Sequence, residues 1–585
     1  MNDRPHVLFE SFLPGKEGRS FRFERLERTL AAKAPQEVVP LLAEIESAVA
    51  AGAHAAGFVS FEAAPGLDPA LPACSGGALP LAWFGLFSER VAVEPGAAVA
   101  AGACRLLAPE PAWDFPAYAD AFGKIREHIA AGDSYQVNLT FRERFRFAGD
   151  AFALYRQLCA AQPAAFCAWF DCGDVAIASA SPELFFARRG RRITMRPMKG
   201  TAPRGGEAAE DGRLREQLAA SPKERAENLM IVDLVRNDLG RIAETGSVQV
   251  PRLFAVESYP TLHQMTSTVT ARLQENAGLT DIFRALFPCG SVTGAPKRRS
   301  MAIIRELEEG CRGLYCGAIG FVSPGEEAVF SVAIRTAVLD LSRGEGELGV
   351  GSGVTADAEA DAEYRECLGK AAFLAEQAEP LELVETLRWE ANRGYLLLER
   401  HLQRLAVSAA ALGFACDPGE IGRQLLAAAP GGAGRHKVRL RLAVDGKVMI
   451  TSELLTPQVY RSATARVALA AEPVDSRDPL LYHKTTWRPW YDGVLERHPG
   501  CLDVLFCNRR GEVTEGTLHN LVVEVAGRLV TPPVASGLLP GTLRRELLER
   551  GVLSEAVIRR EELLSSRRLW LINSVRGWRR VTLAE

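Results

Sequence analysis

The feature that most constrains this chain is a break in its pattern near residue 378. A helix-like stretch from Glu366 to Ala378 runs into Pro380, and a fresh strand, Leu381 to Trp389, starts at once. Proline fixes φ and removes a backbone donor, so neither element continues through it. The chain has 585 residues. Domains run at roughly 100–200 residues, so one hydrophobic core cannot serve the whole chain. The break divides it into residues 1–378 and 379–585, and no repeat relates the halves.

Charge and composition narrow the function classes. Lys plus Arg is 69 against 72 for Asp plus Glu, a net charge of −3, which argues against a nucleic-acid partner. Hydrophobic residues at 47% and charged residues at 24% exclude global disorder, collagen and coiled coil. The long uncharged stretch Pro69 to Ser88 carries three prolines and Gly76-Gly77, so it cannot be a membrane helix. Asp3, Arg4 and His6 precede only a short apolar run, which reads as no signal peptide. Twelve cysteines without a C-x-x-C pair read as reduced thiols of a cytoplasmic enzyme.

Periodicity predicts a helix over Phe115 to Ala131, stopped by Gly132-Asp133, then strands over Val175 to Phe186 and Arg192 to Met195. A Gly/Pro loop from Pro197 to Gly206 and a helix over Lys223 to Leu234 follow. The second part reads as a helix over Glu399 to Leu412 and strands over Lys437 to Ala443, Lys447 to Leu454 and Leu518 to Val525.

Several residues carry candidate chemistry. Glu224 and Glu227 are three apart on one predicted helix, and Glu363 and Glu366 are three apart near the start of another. That spacing puts each pair on one helical face. Facing each other they would suit Mg²⁺, which takes few carboxylates plus waters and substrate oxygens; otherwise they are two solvated faces. Glu183 ends an apolar strand, as a general acid beside a substrate would, or as an ordinary loop carboxylate does. Lys199, among Pro, Met and Gly, is a nucleophilic amine if its loop folds inward and a surface lysine if not. Arg335 sits in an apolar run and needs an anion, from a ligand or from within the chain. Gly351-Ser352-Gly353 would let backbone N–H groups approach a carboxylate.

Together these segments resemble the chorismate-utilising enzymes, the family of anthranilate synthase component I, aminodeoxychorismate synthase component I and isochorismate synthase. The resemblance spans about residues 115–378 and rests on Gly132–Leu139, Ala180–Glu183, Glu227–Leu239, Gly290–Lys297, Arg312–Gly317 and Gly351–Lys370. It implies a large α+β fold of two packed sheets with surrounding helices. It further implies Mg²⁺ at Glu227 and Glu363 with Glu224 and Glu366 in or near that shell, and Glu183 as general acid/base. Arg335, Tyr315, Gly351 and Gly353 would hold the enolpyruvyl side of chorismate, and His263 and Thr293 would line the ring pocket. Lys199 discriminates within the family. Relatives making anthranilate resemble P-I-A-G-T there, whereas relatives making aminodeoxychorismate resemble P-I-K-G-T; this chain has Pro197-Met198-Lys199-Gly200-Thr201. The resemblance then implies attack of the lysine at C2 with loss of the C4 hydroxyl, followed by ammonia entering at C4. A glutaminase nucleophile with a His-x-Glu pair is not visible, so a separate glutamine amidotransferase subunit is implied. Leu8-Phe9-Glu10-Ser11 loosely resembles a tryptophan-binding Leu-Leu-Glu-Ser segment.

In the second part Lys484, Glu515 and Arg404 offer an amine for an aldehyde, an acid for a pyridine nitrogen and a charge for phosphate. Gly541-Thr542-Leu543-Arg544 opens a helix whose amides suit phosphate. As an ordered set over about residues 381–585 they resemble the fold-type IV aminotransferase family, which includes 4-amino-4-deoxychorismate lyase. The resemblance implies an α/β unit, usually dimeric, with pyridoxal 5'-phosphate on Lys484, its ring nitrogen at Glu515 and its phosphate at Arg404, Thr542, Leu543 and Ser574. Thr386 would lie on the substrate side. The family's R-G-x-x-x-G-D-G-x-F segment is missing, and a non-catalytic dimerisation module is the alternative. The fusion implies amination of chorismate followed by elimination of pyruvate to 4-aminobenzoate, a folate precursor. The rival is an anthranilate synthase component I with a lyase-like appendage.

Overall fold

The computed structural model describes residues 6–13, 19–97, 102–204, 208–259, 262–375, 379, 381–431, 433–455, 465–491, 493–566 and 568–584. The chain divides into two compact units, Met1–Ala378 and Glu379–Glu585. Among the described residues no helix is long and apolar enough to cross a membrane.

The first unit is built on long antiparallel pairings. Strand Gln136–Gly149 pairs with Glu345–Val354 from Val137↔Val354 to Arg146↔Glu345. Strand Phe21–Ala32 pairs with Ala82–Ala92 over a similar length. Side chains alternate between faces along a strand, and the sequence uses both. Val137, Leu139, Phe141, Phe145 and Phe147 enter a core covered by the helices Phe115–Ala130 and Ala360–Ala375. A second core lies under the helices Pro35–Ala50, Pro222–Gly240 and Leu279–Leu286. Between them is a largely strand-built layer rich in phenylalanine, including Phe9, Phe23, Phe58, Phe170 and Phe321. Sheet packs on sheet through that layer, and helices close the outer faces.

Local chemistry sets the element boundaries. Asp114 caps the first of these helices by accepting from Ala117 N at 3.0 Å, and Pro116 occupies its first turn. Tyr118, Ala121, Phe122 and Ile125 form its buried stripe. The apolar run read as one strand is two, Val175–Ser181 and Leu184–Arg189, because Pro182-Glu183 interrupts the ladder. The stretch read as a loop is strand Met198–Pro203, paired to Leu262–Arg272 with a register shift between Met198 and Thr201. Residues 205–206 of that reading lie outside the described residues, as do residues 376–378. The cysteines also depart from expectation. Cys74 and Cys311 are disulfide-bonded across 237 residues, a separation that no local spacing rule detects. Ten other cysteines are free.

Arg312 locks the motif-bearing segments together. It is 2% exposed and bonds Glu308 through Nε at 2.9 Å and Nη2 at 2.7 Å. It also donates to Val292 O at 2.8 Å and Asn138 O at 2.7 Å.

The second unit has two sheets. Gly394–Tyr395, Leu383–Glu390, Arg435–Leu442 and Val448–Leu454 lie side by side in that order. Val438, Leu440 and Leu442 face a core shared with the helices Leu398–Leu412 and Pro418–Ala427. An eight-stranded mixed sheet carries the rest, including Cys501–Cys507, Val513–Gly516 and Asn520–Val525. The segment around residue 484 lies against the start of Leu383–Glu390. Val384 N donates to Lys484 O at 2.7 Å and Thr486 N to Glu382 O at 2.9 Å.

Arg312→Leu removes one partner of a buried ion pair and leaves Glu308 charged in the interior. It should cost the first unit about 3–5 kcal/mol, read as a lowered urea midpoint; an unchanged midpoint would contradict the locking role.

Candidate active sites

In the first unit a cavity of about 560 Å³ opens between strand ends and two helices. Its wall carries Glu183, Lys199, Tyr315, Arg335, Gly351, Gly353 and the glutamates 224, 227, 363 and 366. Two residues assigned to the ring pocket are not on that wall. His263 is fully buried, with its two ring nitrogens bonded to Ser258 Oγ and Asp211 Oδ1, each at 2.9 Å. The Thr293 hydroxyl donates to Cys289 O at 3.1 Å and Gly290 O at 3.3 Å, so it is spent on its own turn.

Glu183 follows the break between the two strands. It is 3% exposed, and its Oε1 has no hydrogen-bond partner. Burial pushes its carboxyl up to about 7, against the Ser291 hydrogen bond, the Lys199 charge and the Met198 N–H. A carboxyl poised near neutrality can give and take a proton at working pH.

Lys199 reaches the cavity from strand Met198–Pro203. Its carbonyl accepts from Asn228 Nδ2 at 3.5 Å, and that of Gly200 accepts from Gln264 Nε2 at 2.7 Å. Gly200 has φ +90°, and a Cβ there would lie 2.9 Å from Glu224 Oε2, so only glycine makes this bend. Lys199 Nζ lies 2.9 Å from the point that a Cβ on Gly353 would occupy. Among the described residues the amine makes no ion pair or hydrogen bond, although its charge is felt by Glu183, Glu224, Glu227 and Glu366.

The two acidic pairs stand on helices Pro222–Gly240 and Ala360–Ala375. Burial raises Glu224, Glu227 and Glu363, and neighbouring carboxylates raise each further. Burial acts the same way on Glu366, but Lys370, Lys199 and Lys223 outweigh it and bring that carboxyl below its usual value. Lys370 bonds Glu366 at 2.7 Å and the Gly351 carbonyl at 2.8 Å. Among the described residues no three acids, imidazoles or thiols form a ready cage for a metal ion.

Arg335 lines the same cavity with φ +49°. Burial pulls its guanidinium below the usual value, and no carboxylate pairs with it among the described residues. A partly buried cation without a partner is a site for an incoming carboxylate. Beside Leu8–Ser11, Glu10 is filled by Arg156 at 2.7 Å and Tyr155 at 2.7 Å. A cavity of about 10 Å³ lies against Phe9 and Glu10.

In the second unit Arg404, Glu385 and Glu515 all act electrostatically on Lys484. Burial, with the charges of Arg488 and Arg404, brings the Lys484 amine down to about 8. Glu515, 3% exposed, accepts from Arg488 at 3.1 Å, Tyr491 at 2.8 Å, Leu539 N at 3.1 Å and Asn520 at 3.0 Å. Arg404 grips both oxygens of Glu385 at 2.8 and 2.7 Å. With His401 it holds that carboxyl at about 2 despite burial. Helix Thr542–Glu549 starts at Gly541, where a Cβ would lie 1.9 Å from Asn520 Oδ1. Thr542 Oγ1 lies 3.2 Å from His401 Nε2, and the Leu543 side chain packs into an apolar cluster with Val522 and Ile572. Leu543 therefore has only its backbone N–H to offer an anion. Ser574 is buried, and Thr386 sits half-buried one residue beyond Glu385, on the opposite strand face. Sequence reasoning did not single out Arg488, Tyr491, Asn520, Ser291 or Lys370; each acts by bonding another functional group.

Comparison with known proteins agrees with this division. Residues 99–376 match the chorismate binding enzyme family and residues 382–584 match the class IV amino-transferases. Aminodeoxychorismate synthase component 1 of Klebsiella aerogenes is 46% identical over 264 residues, 45% of this chain and 58% of that protein. Anthranilate synthase component 1 of Streptomyces coelicolor is 42% identical over 254 residues, 43% of this chain and 49% of that protein. This chain therefore spans only about half the length of the curated relatives it matches. The crystal structure of anthranilate synthase component I from Streptococcus pneumoniae superposes with a TM-score of 0.53 at 25% identity, over 62% of this chain and 93% of that one. The chain joins a chorismate-binding-enzyme domain to a class IV amino-transferase domain.

The Glu183 carboxyl titrates near 4.5 when unfolded and near 7 when folded. Between those values the folded state holds the extra proton, so stability falls as pH rises. Glu183→Gln should remove this residue's share of the decline and leave the variant more stable than the parent at pH 8, by about 3 kcal/mol at most. Urea titrations of both proteins at pH 5 and pH 8 check it; equal pH dependence would contradict the buried, neutral-poised carboxyl.

Proposed function

We propose that this chain makes 4-aminobenzoate from chorismate in two reactions. The first unit aminates chorismate to 4-amino-4-deoxychorismate, and the second eliminates pyruvate from that product. One observation carries the reading: residue 199 is a lysine whose amine stands inside the cavity, unpaired, beside a carboxyl near neutrality. Overall identity does not separate the two chemistries, because an anthranilate synthase and an aminodeoxychorismate synthase match almost equally well. An amine in the cavity does separate them, since it supplies a nucleophile.

In the first reaction Arg335 and the Gly351–Gly353 strand hold the substrate carboxylates, with Tyr315 beside them. The Lys199 nitrogen bonds to C2, the ring double bond shifts, and the C4 hydroxyl leaves as water with the Glu183 proton. Ammonia then bonds to C4, the C2–nitrogen bond breaks to return the neutral lysine amine, and a proton from the new C4 ammonium goes back to Glu183. The buried, mutually repelling carboxylates fit a divalent cation. Glu227 and Glu363, with Glu224 and Glu366 alongside, would hold Mg²⁺, which would supply positive charge to a substrate carboxylate. The open arrangement suits an ion that keeps waters and substrate oxygens rather than an all-protein cage. Ammonia comes from a separate glutaminase subunit, as the "component 1" in the relatives' name supports.

In the second unit the donor set fits pyridoxal 5'-phosphate, with a lysine amine lowered toward neutrality, a buried acid and a helix start held by glycine. Lys484 would hold its aldehyde, Glu515 its ring nitrogen, and Arg404, Ser574 and the Thr542 and Leu543 amides its phosphate. Bound there, the cofactor supplies an electron sink for bond breaking next to the amine. Lys484 moves protons, and Thr386 would meet substrate from the strand face opposite Glu385. Four donors already fill the Glu515 carboxylate, so the Arg488 or Tyr491 bond would have to give way to a pyridine nitrogen. The reading also carries a cytoplasmic setting and a homodimer through the second unit.

The intact chain, given chorismate, Mg²⁺, ammonium and pyridoxal 5'-phosphate, should release 4-aminobenzoate and pyruvate; anthranilate as the product would overturn the reading. Lys199→Ala should lower the rate at least about 10³-fold, as expected on removing a covalent nucleophile. Titration with the cofactor should give near-visible absorbance that Lys484→Ala abolishes. A colourless chain with full lyase activity would contradict the assignment of that lysine.

A further inference from the structure

Gln136, the first residue of strand Gln136–Gly149, has a side chain that the proposed chemistry does not use. It is 1% exposed, and its Oε1 is buried without a hydrogen-bond partner. Its Nε2 lies 2.2 Å from the point that a Cβ on Gly353 would occupy, and Lys199 Nζ lies 2.9 Å from the same point. The two nitrogens are therefore no further apart than the sum of those distances. Both are donors, while an acceptor on the same amide goes unused. A side-chain amide exchanges its oxygen and nitrogen by a half-turn, and the hydrogen-bond network decides which way it faces. The Gln136 backbone is fixed: its carbonyl accepts from Ser134 Oγ at 3.0 Å and Ser300 Oγ at 3.2 Å. Only the amide is free to turn.

We propose that Gln136 is a positioning residue for Lys199: with its amide turned over, its carbonyl accepts one amine N–H and leaves the nitrogen lone pair directed into the cavity. This rests on the nucleophilic role of Lys199 proposed above. A neutral acceptor suits the task. A carboxylate bonded to the amine would hold it as ammonium, whereas Glu224, Glu227 and Glu366 act on it only at a distance. Gly353 is part of the device, because any side chain there would occupy the space in which amide and amine meet.

The test uses the full chain with Gln136→Met, which keeps the shape and removes the acceptor, and Gln136→Glu, which replaces the neutral acceptor with a carboxylate. Two quantities are read: steady-state kinetics with chorismate and ammonium, and acetylation of Lys199 by acetic anhydride, quantified on its peptide by mass spectrometry. Gln136→Met should lower kcat about 10- to 100-fold with the chorismate KM within about twofold, and slow Lys199 acetylation at least about threefold. Its thermal midpoint should stay near the parent's, and Gln136→Glu, whose carboxylate would hold the amine as ammonium, should also slow both turnover and acetylation, with the loss easing as pH rises. Unchanged kcat and acetylation in Gln136→Met would overturn the proposal. So would a joint change in KM and thermal midpoint in Gln136→Met, or a Gln136→Glu chain that matches the parent at every pH. If the parent chain forms no 4-amino product, the function reading fails, and the acetylation ratio alone decides whether Gln136 positions Lys199.

Discussion

Unpaired charge held away from water is the constraint on which the first unit turns. Burying an ionised group costs several kcal/mol unless a partner compensates. Lys199 and Arg335 have no such partner among the described residues, and three of the four cavity glutamates are driven upward by burial and one another. A fold keeps such an arrangement where a ligand completes it. On the proposed reading, a dicarboxylate with a divalent cation would supply what is missing: an anion for Arg335 and a cation for the acids. The long pairing of Gln136–Gly149 with Glu345–Val354 makes this possible, since it fixes Gly351 and Gly353 as one wall while Arg312 ties the Tyr315 loop to that strand.

The second unit answers the same constraint differently. Its charges are mostly paired: Arg404 with Glu385, Arg488 with Glu515 and His519 with Asp503. Lys484 is left with its amine near neutrality, surrounded by two guanidinium groups. That arrangement keeps an amine reactive without leaving the rest of the site frustrated.

The sequence carried the site residues better than their surroundings. Glu183, Lys199 and the two acidic pairs were legible because titratable groups at strand ends or at helical spacing leave a local signature. Gln136 left none, as a glutamine in a strand is chemically silent until its neighbour across the sheet is known. His263 and Thr293 were placed by resemblance, but their bonds to Asp211, Ser258 and the Cys289 turn hold them off the cavity wall. The 197–206 stretch looked like a loop because Pro and Gly dominate it; pairing to Leu262–Arg272 overrides that composition and bends at Gly200 instead. The Cys74–Cys311 bond depends on contacts across 237 residues and has no local trace.

The central claim is that Lys199 bonds to chorismate during turnover. Intact-mass spectrometry of the chain mixed with chorismate and Mg²⁺ without ammonia tests it most directly. The account predicts an added mass equal to chorismate less one water, mapping to the peptide that contains Lys199 and disappearing when ammonium is added. An unmodified lysine in a chain that goes on to make 4-amino-4-deoxychorismate at full rate would contradict it.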